Sequence, residues 1–116
     1  VWGNDVWINF LADRAAPTRY SYQFPLFMPG YTNKDLVLSF LNDLQTTPPV
    51  LIVETRTDTA EMLPLNSKLR EIAHHAQVGT PEGMQQVFEY VNENYCIVKE
   101  FHDTIIYRIK EDSDCG

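Results

Sequence analysis

The sequence predicts an α/β domain: a mixed sheet, parallel at its centre, with helices on both faces and an antiparallel hairpin at the C-terminus. Three observations lead there. Strand-like and helix-like segments alternate along most of the chain, the order that βαβ units produce. "VLIV" at residues 50–53 is a continuous apolar run of the kind a strand buried on both faces shows in a parallel sheet. "YCIVKEF" and "TIIYRIK" are two β-rich runs separated only by His102 and Asp103, which reads as a hairpin.

Taken in order, Trp2 and Gly3 end a first strand, and Asn4 or Asp5 caps a helix in which Val6, Trp7, Phe10 and Leu11 recur at helical spacing. That helix stops near Arg14, because Pro17 disfavours helical backbone at the residue before it. From Thr18 to Gln23 the chain alternates Arg19, Ser21 and Gln23 against Tyr20, Tyr22 and Phe24, a strand with one buried face that Pro25 terminates. Thr32 with Asp35 three residues on has the form of a capping box, and Leu36, Val37, Phe40, Leu41 and Leu44 form an apolar stripe through about residue 45. Pro48-Pro49 breaks this helix before the "VLIV" strand, which Glu54 ends. Residues 55–66 lack periodicity and read as loop, with a short helix around Ser67 to His75. Thr80 as N-cap and Pro81 at the first helical position start a last helix, whose inner face is Met84, Val87, Phe88 and Val91.

With 116 residues, 44% hydrophobic and 22% charged, the chain has the size and composition of one globular domain over residues 1–116, able to fold without a metal or disulfide staple. No run approaches the ~20 apolar residues needed to span a bilayer, so the segment is expected to be soluble. A net charge of -7 with nine scattered Lys and Arg opposes phosphate binding, and no nucleic-acid partner is expected. The opening Val1-Trp2-Gly3 has neither an initiator methionine nor a signal-peptide pattern and reads as the start of a piece excised from a longer protein. Cys96 lies in an apolar strand-like run and Cys115 in the polar tail. A bridge between them would tie core to tail, whereas core thiols usually serve as inert packing, and the redox state stays open at this level.

Few constellations suggest chemistry. Glu54 stands where a central strand meets its following loop, the place ligands occupy in open α/β sheets, and Asp58 and Glu61 follow closely. An acidic cleft formed by Glu54, Asp58 and Glu61 would suit a free-standing small enzyme or ligand-binding module, the alternative being a solvated loop after an acidic strand terminus. Glu71 and His74 have the i, i+3 spacing of carboxylate-bridged metal sites, but the second such motif those sites need is missing, so no metal is expected. Neither a nucleophile elbow nor a glycine-rich phosphate loop occurs, which leaves no catalytic residue and no cofactor to assign.

The stretch "RYSYQFPLFMPGYTN" at 19–33 concentrates five aromatic residues and two prolines in a connection. Arg14 and Arg19 flank its start, and Tyr20, Tyr22 and Tyr31 place hydroxyls beside flat apolar faces, a chemistry that suits sugar rings, lipid headgroups or protein surfaces. The same rings can equally cover the sheet edge and pack beneath the following helix. Arg14, Arg19, Tyr20, Tyr22 and Glu54 are therefore the candidate binding residues, and core against contact surface stays open for residues 20–31.

"LADRAAPTRYSYQFPLFMPGY", followed by a helix and then "PPVLIVET", resembles the C-terminal soluble part of bacterial polytopic membrane glycosyltransferases similar to the dolichyl-phosphate-mannose protein mannosyltransferase family. The resemblance covers residues 1–55, with Arg19, Tyr20 and Glu54 matching the pattern, and extends further only by element order. It implies a parent protein that transfers sugar from a polyprenyl-phosphate carrier on the extracytoplasmic side of the membrane. The family's catalytic acids lie in an early extracytoplasmic loop outside this segment, so no catalytic role transfers to any residue here. The implied part for this domain is accessory, contacting the transmembrane domain of the same polypeptide, the lipid-linked sugar or the acceptor.

Overall fold

The computed structural model describes residue 2 and residues 24–28, 32–55, 65–66, 80–101 and 104–111. The segments read above as a helix from Asn4 to Arg14, a strand over 18–23 and a short helix over 67–75 lie outside the described residues. The first described element after Trp2 is a short 3-10 turn, Phe24–Phe27, in which Leu26 and Phe27 are buried while Met28 emerges at the surface. Phe27 thus gives the aromatic stretch at least one ring that belongs to the core.

Helix α1 runs Lys34–Thr46. Its cap is Asn33 and not Thr32: the Asn33 backbone is extended, and its side-chain oxygen accepts from the Leu36 N–H at 2.9 Å. The Thr32 N–H instead donates to the Met28 carbonyl at 3.0 Å, which fixes the residue one step outside the helix. Val37, Phe40, Leu41 and Leu44 are buried and Leu36 packs beside them, the stripe that helical spacing demands. The Thr47 N–H closes the last turn on Asp43, and Pro48-Pro49 then prevents continuation.

Helix α2 runs Met84–Asn94, three residues later than a Thr80 cap implies. Residues 81–83 form a turn, closed by the Met84 N–H donating to the Pro81 carbonyl at 3.0 Å, and the helix begins only after Gly83. Gly83 has φ +90°, in the left-handed region that L side chains avoid. An alanine Cβ there would also lie 3.4 Å from Val37 Cγ1 and 3.5 Å from Leu38 Cδ2. Gly83→Ala is expected to cost about 1–2 kcal/mol, chiefly as backbone strain, in thermal or urea unfolding. A loss below about 0.5 kcal/mol would show that the turn relaxes freely. The inner face of α2 is Met84, Val87, Phe88 and Val91, all buried.

Three strands follow the two helices in space: β1 Leu51–Thr55, β2 Tyr95–Glu100 and β3 Thr104–Ile109. Their order is β1-β3-β2, and both pairings are antiparallel. β2 begins at the residue after α2 ends, so helix passes into strand without a loop. The Phe101 N–H donates to the Thr104 carbonyl at 2.8 Å and closes the β2–β3 connection. A register shift between Ile97 and Lys99 bulges β2, a device that twists an edge strand away from further pairing.

This sheet overturns the predicted fold class. The strands described are antiparallel throughout, and the centre of the sheet is β3, the last strand in the chain. A parallel contact does exist, but it is a single bridge: the Trp2 N–H donates to the Val53 carbonyl at 2.7 Å and the Thr55 N–H to the Trp2 carbonyl at 2.9 Å. Among the described residues, helices do not sandwich the sheet. The buried residues of α1 and α2 share one cluster with Ile52, Tyr95 and Tyr107, which the register places on one face. "VLIV" is correspondingly not buried on both faces, since Leu51 is 52% exposed while Ile52 is buried. An apolar run does not reveal how many of its faces are covered, and element order does not reveal which later strand inserts beside it. Among the described residues, no helix is long and apolar enough to cross a membrane.

Candidate functional site

Glu54 is the described residue with the most chemical interest, and β1 fixes it on both sides. On one side Trp2 bridges to Val53 and Thr55 around it; on the other, Glu54 faces Ile105 of β3. Alternation along β1 puts Glu54 on the same face as Ile52, toward the helices, and only 3% of the residue is exposed. A carboxylate taken out of water requires donors, and they are present. The Tyr107 hydroxyl donates to Oε1 at 2.6 Å, the Leu65 N–H donates to Oε2 at 2.7 Å, and the Asn66 N–H approaches the same oxygen at 3.4 Å.

The origin of each partner is local. Tyr107 lies opposite Ile52, two residues along β3 from Ile105, so it sits diagonally across from Glu54 on the same face. Leu65 is itself buried in the core cluster, which brings its N–H to the carboxylate as its side chain packs. The arrangement ties the segment at 65–66 to the end of β1 across eleven and twelve residues, and ties β1 to β3 through side chains as well as backbone.

A general acid or base must present an oxygen to a substrate proton within hydrogen-bond reach. Glu54 instead turns its carboxylate inward, where both oxygens already accept from the protein. The geometry is that of an internal clamp. Asp58 and Glu61, the other acids of the proposed cleft, lie outside the described residues, as do Arg14, Arg19, Tyr20 and Tyr22, so the structure describes one of the five candidate binding residues. No group of three metal-ligating side chains occurs among the described residues. Sequence reasoning singled out Glu54 but missed Tyr107 as its partner; the only local signal was that Tyr107 keeps the same alternation as Ile105 and Ile109.

A second polar cluster joins the helices to the sheet. Tyr95, first residue of β2, is buried, donates its hydroxyl to the Pro49 carbonyl at 2.5 Å and meets the Tyr90 ring edge-on at 6.4 Å. Burial, and secondarily the neighbouring Tyr90 hydroxyl, push the Tyr95 phenol up to about 12, and burial alone raises Tyr90. The unfolded chain releases a tyrosine proton near about pH 10, so below that pH both states hold it and the stabilisation is complete. As pH rises from there toward about 12 the unfolded state binds fewer protons than the folded one, and stability falls. Urea unfolding across this window should show a steeper loss for the native chain than for Tyr95→Phe; equal slopes would mean that the phenol titrates normally.

Cys96 is disulfide-bonded. The reading of this residue as an inert packing thiol gives way to a covalent tie, and Cys115, the chain's other cysteine, lies outside the described residues. Comparison of the chain with protein-family models, with curated proteins and with solved structures gives no match.

Proposed function

We propose that this chain is a non-catalytic extracytoplasmic accessory domain of an integral membrane glycosyltransferase that draws sugar from a polyprenyl-phosphate carrier. The family reading rests on the resemblance of residues 1–55. The non-catalytic role is carried by Glu54, the strand-end acid best placed for chemistry, whose carboxylate is engaged by Tyr107 and Leu65 inside the fold. The disulfide at Cys96 supports the extracytoplasmic side, because such bonds persist in oxidising compartments and are rare where thiols are kept reduced. The partner is the transmembrane domain of the same polypeptide, and Arg14, Arg19, Tyr20 and Tyr22 are the residues offered for contact with it, the lipid-linked sugar or the acceptor.

The test uses the full-length polypeptide in membranes. Glu54→Gln is expected to leave sugar transfer per folded molecule unchanged while lowering stability, and Cys96 is expected to resist thiol alkylation until a reductant is added. Loss of transfer with unchanged folding would instead support the rival reading, a small enzyme or ligand-binding module with an acidic cleft at Glu54, Asp58 and Glu61. Immediate alkylation of Cys96 in the native membrane would remove the argument for location.

A further inference from the structure

We draw no further inference here: the strongest candidate, the outer edge of β2 with exposed Ile97 and Val98 next to exposed Phe101 at the hairpin turn, carries nothing because nothing in the structure shows what covers it.

Discussion

Trp2→Ala is expected to destabilise the domain by about 3–5 kcal/mol, the range for truncating a large buried aromatic side chain. The indole is 3% exposed and forms edge-to-face contacts with Phe27, Phe40 and Phe88, at ring separations of 6.2, 6.2 and 6.1 Å. Those three rings come from the 3-10 turn, α1 and α2, so one side chain joins three elements that share no strand pairing. Aromatic pairs of this geometry add about 0.5–1.5 kcal/mol each beyond simple burial. Alanine keeps the backbone bridge to Val53 and Thr55, which isolates the side-chain term. Against a typical domain stability of about 5–15 kcal/mol, the loss is large enough to shift the urea midpoint strongly at constant slope. Trp2→Phe retains part of the packing and should fall between the two. A loss for Trp2→Ala under about 1 kcal/mol would mean that the core closes without this residue.

The second large effect is expected at Glu54. Glu54→Ala removes the acceptor for the buried Leu65 N–H and for the Tyr107 hydroxyl, so both of these core hydrogen bonds are lost. Each buried neutral donor that loses its bond costs about 1–3 kcal/mol, so the two losses together make this a large effect. Tyr107→Phe removes a single donor and should cost about 1–3 kcal/mol. The two changes share an interaction, so the double variant should lose less than the sum of the singles, and additivity in that cycle would contradict the contact. Glu54→Gln, which keeps an acceptor for the backbone, should lie between wild type and Glu54→Ala. If Glu54 were instead a solvated site residue, its truncation would change stability by no more than about 0.5 kcal/mol.

How far the chain could be read in advance differs by element. The apolar stripe of α1 and the inner face Met84, Val87, Phe88 and Val91 were legible because both obey the helical repeat within a dozen residues. The strand character of 51–55, 95–100 and 104–109 was legible through a different local signal, β-branched and aromatic enrichment. Helix starts were less so. Thr32 and Thr80 have capping chemistry, yet the backbone at Asn33 and the positive φ at Gly83 set the true boundaries, and both depend on the turn that precedes the helix. The parallel sheet was misread because strand direction is a relation between segments some fifty residues apart, on which local pattern is silent. The role of Glu54 was hidden likewise, since its hydroxyl partner is 53 residues away.

The amino-acid pattern alone determined which residues along the two helices are apolar enough to be buried, where proline ends α1, and that a strand follows Pro48-Pro49, because these follow from spacing and side-chain chemistry along a few turns of backbone; the strand itself runs through Glu54 to Thr55. Tertiary structure decided that β3 lies between β1 and β2, that the helices cover one face, that Trp2 gathers three rings around itself, and that the Glu54 carboxylate is spent on Tyr107 and Leu65. The physical reason is common to all four. Each requires groups distant in sequence to be desolvated together, and the energy of that step belongs to the pair and not to either residue.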